Sequence, residues 1–277
     1  MKCVTVEFVV LIGMVLALAG GPALSAANTQ IAITSCPYSI NAPGRYVIAA
    51  DLSCVGSGID ISASHVDLDL NGHVITGSTT TNSSSGIYVE GGQTRVHIEG
   101  PGLIQNFARG ININNVDYAR VERVTAAHNS LGFEGTVSHG TIASNAFVAN
   151  INGGLVAGGA DCVFKDNDVS ANRNYGMNIG GTNCAVKNNI VNGTTNGPGI
   201  MISGSNSMVH SNVTNGNFRA GISVQTTATG AQVFNNISVG NGSNDLEDNN
   251  YNGGTTCGTD LWHSNVFFTS GGQQCIH

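Results

Sequence analysis

The chain repeats a short motif at a nearly constant interval: a glycine, an apolar residue, any residue, and usually a second apolar residue. From the third copy onward the glycines recur every 22 or 23 residues. Each copy alternates as a β-strand does, and polar joints rich in Asn, Gly, Ser and Thr separate the strands. The motif glycines are Gly58, Gly86, Gly110, Gly132, Gly154, Gly176, Gly199 and Gly221.

A unit of this size cannot bury a core by itself, so neighbouring units must stack. Two or three short strands with turns between them make one coil of a parallel β-helix. We therefore predict an all-β fold, a single-stranded right-handed parallel β-helix (a solenoid) of about eight or nine coils, capped at its N- and C-terminal ends. Strand alternation points the residue after each glycine inward. The predicted inner stack is Ile59, Ile87, Ile111, Phe133, Leu155, Met177, Ile200 and Ile222.

A column of asparagines tests this register. Five asparagines follow one another at 22- or 23-residue intervals and should therefore lie in the same turn of successive coils. An Asn in a turn accepts tight backbone geometry and passes amide hydrogen bonds along a column. The predicted ladder is Asn145, Asn167, Asn189, Asn212 and Asn235.

Composition agrees with this fold and excludes several others. Glycine contributes 38 of 277 residues, and charged residues are only 10% against 41% hydrophobic. Glycine and asparagine along the whole length disfavour a helical bundle, and the chain is too apolar for a disordered protein. The formal net charge is -7 and no basic stripe is present, so we expect no nucleic-acid partner.

The first residues resemble a secretory signal peptide. Lys2 precedes an apolar run over 8–19, and small residues near Ala27 offer a cleavage site. The run is shorter than the roughly 20 residues of a membrane span, so we expect no span after cleavage and a secreted or periplasmic protein. The predicted segments are a signal peptide (1–27), an N-terminal cap (28–57), the β-helix repeats (58–244) and a C-terminal cap (245–277).

Six cysteines remain after the predicted cleavage, in three pairs of near neighbours. An even number in an exported chain favours disulfides, and the spacings do not suit zinc. Cys162 and Cys184 are 22 residues apart, which is one whole coil and within the reach of a disulfide. The predicted bridges are Cys36–Cys54, Cys162–Cys184 and Cys257–Cys275.

The opening of the chain resembles a known group. The segments Pro43-Gly44-Arg45-Tyr46, Asp51-Leu52, Gly58-Ile59-Asp60-Ile61 and 66–75 (VDLDLNGHVI) are similar to the start of bacterial exported right-handed β-helix repeat proteins. These belong to the pectin-lyase-like superfamily, near its NosD-like members. The resemblance implies architecture rather than activity, because the superfamily includes polysaccharide lyases, hydrolases, epimerases, a copper-maturation factor and adhesins. No residue pattern supports copper handling.

Outward positions of the strands after each motif glycine are the candidate ligand-binding surface. A row of amides, aromatic rings and carboxylates suits the hydroxyls and ring faces of sugars, although a solvated outer face has the same composition. The candidate binding residues are Tyr88, Glu90, Asn112, Asn114, Tyr175 and Asn178. If the chain is an enzyme, Glu134, Arg109 and His128 are the candidate acid, base and charge-neutralising residues.

These observations favour a carbohydrate-binding or surface-structural module with a possible polysaccharide ligand. The alternative is a polysaccharide lyase, epimerase or glycoside hydrolase acting on an acidic polysaccharide. No metal site or cofactor is predicted. A Ca²⁺ ion held by Asp67 and Asp69 is the one alternative, and a structural turn in the first coil is favoured over it. The sequence does not indicate the oligomeric state.

Overall fold

The computed structural model describes residues 29–81, 83–250, 258–271 and 276–277. The regular elements of these residues are short strands. They are β1 (Ile31–Ile33), β2 (Tyr38–Ile40), β3 (Gly44–Ile48), β4 (Leu52–Cys54), β5 (Ile59–Ile61), β6 (Val66–Asp69), β7 (Val74–Gly77), β8 (Ser85–Val89), β9 (Val96–Glu99), β10 (Leu103–Gln105), β11 (Arg109–Asp117), β12 (Arg120–Glu122), β13 (Thr125–Ala127), β14 (Leu131–Ser138), β15 (Thr141–Ala143), β16 (Ala146–Val148), β17 (Gly153–Gly158), β18 (Val163–Lys165), β19 (Tyr175–Ile179), β20 (Ala185–Lys187), β21 (Ile200–Ile202), β22 (Met208–His210), β23 (Val213–Asn215), β24 (Ile222–Val224), β25 (Gln232–Phe234), β26 (Ile237–Val239), β27 (Leu246–Asp248), β28 (Leu261–His263) and β29 (Ser270–Gly271).

The strands form three long parallel sheets that run along the coil axis. Sheet 1 has the order β1-β3-β6-β9-β12-β15-β18-β20-β22-β25-β28, and sheet 2 has the order β2-β5-β8-β11-β14-β17-β19-β21-β24-β27-β29. Sheet 3 is β4-β7-β10-β13-β16. It continues through isolated bridges and the pair β23-β26. The predicted parallel β-helix is confirmed.

The coil number is about ten rather than eight or nine. The segments 28–57 and 245–277, interpreted as caps, contribute strands to the same sheets. For example, Trp262 pairs with Val233 in sheet 1. The glycine motif is absent from these terminal coils, although their strands still alternate in burial, and counting motif glycines therefore gives too few coils.

The core is the inner stack that the sequence predicts. All eight of its residues, from Ile59 to Ile222, are fully buried. Each is the register partner of the next, as in the pairs Ile111 with Phe133 and Leu155 with Met177. Residues two positions further along, such as Ile61 and Ile202, are buried as well. The stack fixes which side chains of sheet 2 point outward.

The asparagine ladder is present, with one correction. Asn145, Asn167, Asn189 and Asn212 are buried, and each side-chain Oδ1 accepts from the backbone N–H of the asparagine one coil earlier or, for Asn145, from Val124 N–H. The fifth place belongs to Asn236 rather than Asn235. Asn235 precedes it with a φ of 55°. The coil there is one residue longer, so constant spacing selects the wrong neighbour. A second ladder, not predicted, contains Asn129, Asn150 and Asn172, is interrupted at Thr194, and resumes with Asn217 and Asn241.

The three predicted disulfides have different outcomes. Cys36 and Cys54 are bonded, with 5.4 Å between their Cα atoms. The structure does not join Cys162 and Cys184, which are buried free thiols. Cys162 Sγ lies 3.1 Å from the carbonyl oxygen of Val137. A hydrogen bond to Cys184 and burial both raise the pKa of the Cys162 thiol. Hydrogen bonding therefore replaces the predicted covalent bond.

Two predictions fall outside the described residues. Cys257 and Cys275 are not among them, and neither is the predicted signal peptide. In the described part of the chain, no helix has the length and apolar character that crossing a membrane requires.

A histidine between two carboxylates makes the stability of one turn column dependent on pH. His139 Nδ1 lies 2.7 Å from Asp117 Oδ1, and its Nε2 lies 3.6 Å from Asp161 Oδ2. The hydrogen bond to Asp117 raises the pKa of His139 above 6.5. Protonated His139 therefore stabilises the folded state. This stabilisation is fully present below pH 6.5 and is lost as the pH rises through the raised pKa of His139.

We expect Asp117→Ala to lower the titration midpoint of His139 toward its ordinary value, because the main hydrogen-bond partner of the imidazolium is removed. The measurement is an NMR titration of the imidazole Cε1–H resonance, assigned with His139→Gln. An unchanged midpoint in Asp117→Ala would show that the carboxylate does not hold the proton.

Candidate functional site

One column of outward side chains on sheet 2 contains most of the candidate residues. Tyr88 of β8 pairs with Asn112 of β11, and Asn112 pairs with Glu134 of β14. The column continues through Val156 of β17 to Asn178 of β19. Successive strands of a sheet lie about 4.8 Å apart, so these side chains form a straight row parallel to the coil axis.

This row borders an open groove with a volume of about 520 Å³. The predicted residues Tyr88, Arg109, Asn112, Asn114 and Glu134 line it, together with Asn178. Asn114 lies where the register between β11 and β14 shifts, between Ile113 and Val116. Such an irregularity re-aims the side chains beside it. We call this feature the sheet 2 groove.

An ion pair lies on the wall of the groove. Arg109 Nε donates to Glu134 Oε2 across neighbouring strands. Each side chain keeps about a third of its surface exposed, so a ligand in the groove would contact both. The pair offers charged donors and acceptors in a fixed arrangement, which strengthens hydrogen bonds to a polar ligand.

The depth of the groove comes from small residues that the candidate list missed. Thr136, Gly158, Gly180 and Ser203 occupy the outward positions beside the main row and complete the lining. With glycine at two successive coils, no side chain fills the space next to Val156. The signal in the sequence is a pair of glycines 22 residues apart that do not belong to the repeated motif.

Acidic residues stand at the N-terminal end of the row. Asp60 pairs with Tyr88, and Glu90 directly follows β8. Burial and then the charge of Glu90 raise the pKa of Asp60. Glu90, a predicted binding residue, is exposed and does not line the groove. Two carboxylates at this end disfavour an anionic ligand there.

Tyr175, the remaining candidate, lines a second hollow further along the same face. This hollow has a volume of about 640 Å³ and includes Met201, Arg219 and Glu247. Ser223 Oγ donates to Glu247 Oε2 at 3.0 Å. Asn178 and Met201 are register partners on neighbouring strands, so the two hollows follow one another along the sheet.

His128 lies away from Arg109 and Glu134. It is exposed in the turn after β13, with a φ of 57°, and is not part of the groove lining. The turn lies at the corner between sheets 3 and 2. The described residues therefore bring together two of the three candidate catalytic side chains.

Asp67 and Asp69, the candidate Ca²⁺ ligands, are not part of a cluster of metal-binding side chains among the described residues. Within the described ranges, no three His, Cys, Asp or Glu side chains are grouped to hold a metal ion. Asp67 Oδ1 lies 3.5 Å from His97 Nδ1, and Asp69 Oδ1 accepts from the backbone N–H of Asn71 at 2.7 Å. Both carboxylates of the predicted motif thus have partners from the chain itself.

Comparison with solved structures finds several chains of similar fold. The chain matches the crystal structure of Dettilon tailspike protein (gp208) with a TM-score of 0.63 and 17% identity, over 79% of this chain and 51% of the tailspike. The periplasmic alginate epimerase AlgG matches with a TM-score of 0.46 and 14% identity, over 79% and 62%. DFA-IIIase from Arthrobacter chlorophenolicus A6 matches with a TM-score of 0.46 and 12% identity, over 86% and 77%.

At these identities the likeness shows the fold alone, and the tailspike match, with a TM-score of 0.63, agrees with the parallel β-helix described above. The chain spans about half the length of the tailspike and under two thirds of the AlgG epimerase. No family model and no curated protein matches the sequence.

Proposed function

We propose that the chain binds a polysaccharide, with an uncharged stretch of sugars lying in the sheet 2 groove along the coil axis. The main support is the straight row of Tyr88, Asn112, Glu134 and Asn178 on the lining of one groove. Val156 interrupts the polar groups of this row between Glu134 and Asn178, but their common direction along the coil axis suits a ligand that is itself a linear polymer.

The chemistry of the row suits sugar hydroxyls. Each asparagine amide both donates and accepts, as each hydroxyl does, and the tyrosine ring offers an apolar face with a polar tip. The Arg109–Glu134 pair adds a charged donor and acceptor. The carboxylates of Asp60 and Glu90 disfavour a polyanion at one end, so the proposal commits to neutral sugars in this groove.

The test is calorimetric titration with neutral oligosaccharides (cello-, malto- and xylohexaose) and with oligogalacturonate. We expect a neutral ligand to bind, and Asn112→Ala or Asn178→Ala to weaken its binding about two- to twelvefold, because one hydrogen bond contributes about 0.5–1.5 kcal/mol. The matched control is Gln105→Ala. Gln105 lies on sheet 3, away from the groove, and its side-chain amide donates to Thr76 Oγ1. Equal affinities in wild type and both groove variants would contradict the proposal.

The second candidate function is enzymatic. Its support is the contact between Arg109 and Glu134, two of the three candidate catalytic residues. A lyase or epimerase needs a base near the proton alpha to a uronate carboxylate and a cation on that carboxylate. Here Arg109 would have to release Glu134 to act as that cation. A hydrolase needs a second carboxylate about 5 to 10 Å away. Glu134 is the only carboxylate among the described groove-lining residues.

The enzyme hypothesis predicts products as well as binding. Incubation with alginate, polygalacturonate and neutral glycans should then release unsaturated or reducing ends or change the uronate composition, and Glu134→Gln should abolish that change while retaining binding. Binding without any product in the wild type would restrict the function to recognition.

A further inference from the structure

One outward row of sheet 1 changes the sign of its charge halfway along the coil axis. Its N-terminal half is acidic and its C-terminal half is basic, and each member is the register partner of the next. We call this row the sheet 1 charge row. It consists of Asp69 of β6, Glu99 of β9, Glu122 of β12, Ala143 of β15, Lys165 of β18 and Lys187 of β20.

Three members of the row have no oppositely charged partner in the protein. Within the described ranges, none of the ion pairs includes Asp69, Lys165 or Lys187. The two lysines are register partners, and like charges at neighbouring positions destabilise a sheet. His210 follows Lys187 in the same column but adds no charge at neutral pH, because burial and then the ammonium of Lys187 lower its pKa.

The other two acids of the row have partners but differ in exposure. Glu122, next to the centre of the row, lies 2.7 Å from Arg120, and its side chain is only 13% exposed. Glu99 contacts Arg123 and keeps 39% of its side chain exposed, so it is open to a second cation. The accessible charges of the row are therefore two carboxylates toward one end and two ammonium groups toward the other.

A second copy of the same face matches these charges if its coil axis runs in the opposite direction. A two-fold axis parallel to the strands, midway between β12 and β15, sets β6 over β20 and β9 over β18. The row then lies over the same row of the second copy. Asp69 of one copy meets Lys187 of the other, and Glu99 meets Lys165. Two-fold symmetry makes each of these contacts occur twice.

The turns that lead into sheet 1 show the same complementarity. Arg95 lies before β9 and Asp161 before β18, both are exposed, and their φ angles are 54° and 55°. The two-fold axis that matches the charge row also sets Arg95 over Asp161. Sliding one copy by a single coil would set Arg95 over His139 or Asn183 instead. The turn column and the charge row therefore select the same register.

The size and the ends of the face suit an interface. The ten strands from β1 to β25, each about five residues wide with its turns, cover roughly 800 Å². Each partner of a standard interface contributes about this area. Beyond the charged strands, Val47 would lie over His210 and Ala32 over Phe234. A parallel arrangement would instead set the lysine-bearing strands of the two copies against each other.

We propose that sheet 1 is the interface of a homodimer in which two copies pack face to face with antiparallel coil axes. Each copy has a net charge of -7, so the attraction comes from the arrangement of charge on this face and not from the overall charge. The sheet 2 groove lies on a different sheet, and the dimer leaves one groove open on each copy.

The test is sedimentation velocity at low and at high salt. We expect wild type to sediment at twice the mass of one chain at low salt, with a dissociation constant at least about tenfold higher at high salt. Lys165→Glu/Lys187→Glu and Asp69→Lys/Glu99→Lys should each be monomeric, because like charges would face each other. An equimolar mixture of the two variants should recover a dimer, since the reversed charges of one variant then face those of the other.

Arg173→Glu, in an exposed turn outside sheet 1, is the matched control and should dimerise as wild type does. Far-UV circular dichroism checks that every variant is folded, and Glu99→Lys alone takes the place of the acidic-end double variant if that variant does not fold. Three outcomes would overturn the proposal: a monomeric wild type at low salt, reversed-charge variants that still dimerise, or a mixture of the variants that stays monomeric.

Discussion

Replacing Asn189 by alanine is expected to lower the free energy of unfolding by about 3 to 5 kcal/mol, because buried groups would lose their partners. Asn189 Oδ1 accepts from the backbone N–H of Asn167 at 3.0 Å and from its Nδ2 at 2.9 Å. Asn189 Nδ2 donates to the carbonyl of Phe164 and to Asn212 Oδ1, both at 3.0 Å. All of these contacts are buried, so water cannot replace the lost amide.

Urea unfolding followed by far-UV circular dichroism measures this difference. Asn196→Ala is the matched control, since Asn196 is exposed and its side chain donates only to Asn174 Oδ1. We expect the control to lie within about 0.5 kcal/mol of wild type. Equal stabilities of the two variants would show that the ladder does not contribute through buried hydrogen bonds.

Trp262→Ala is expected to have an effect of similar size but confined to one end of the coil. Trp262 is 3% exposed, and its Nε1 donates to Asp248 Oδ2 at 2.8 Å. Its truncation removes a large buried ring, which costs about 3–5 kcal/mol. It also leaves the buried carboxylate of Asp248 without that donor. Because each coil contacts only its neighbours, the terminal coils should open while the central coils stay folded.

Hydrogen exchange with mass spectrometry locates this effect. Amides of β25 and β27 should exchange faster in Trp262→Ala, whereas those of β11 and β14 should not change. Leu261, the residue before Trp262, is 58% exposed, and Leu261→Ala should behave as wild type. Uniformly faster exchange across all coils would contradict a nearest-neighbour solenoid.

The sequence predicts the fold well because the repeated motif identifies which residues of one strand in each coil are buried. The inner stack from Ile59 to Ile222 requires only the motif interval and strand alternation, and every member is buried. Positions where a coil changes length are less predictable. Asn236 takes the ladder place expected for Asn235 because an added residue shifts the turn, which constant spacing does not reveal.

The cysteines illustrate a second limit. Coil spacing places Cys162 one coil before Cys184 and so predicts their proximity, which the structure shows as a hydrogen bond between two buried thiols rather than a disulfide. Each thiol lies against a backbone carbonyl oxygen, Val137 for Cys162 at 3.1 Å and Thr182 for Cys184 at 3.6 Å. Neither direction can be inferred from the interval between the residues.

The candidate site also has a part that the sequence predicts and a part that it does not. Alternation places Tyr88, Asn112, Glu134 and Asn178 in one outward row, as predicted. Turn geometry decides the rest: His128 is in a corner with positive φ and projects elsewhere. The concavity depends on the absent side chains of glycines in the neighbouring row, a feature that a search for chemically active residues overlooks.

The most direct test of the proposed function is a crystal structure of the protein with the neutral oligosaccharide that binds most tightly in the titrations. The proposal predicts sugar rings in the sheet 2 groove, running across β8, β11, β14, β17 and β19, with hydroxyls on Asn112 and Asn178 and beside the Arg109–Glu134 pair. An oligosaccharide bound on sheet 1 or sheet 3, with the groove empty, would contradict it.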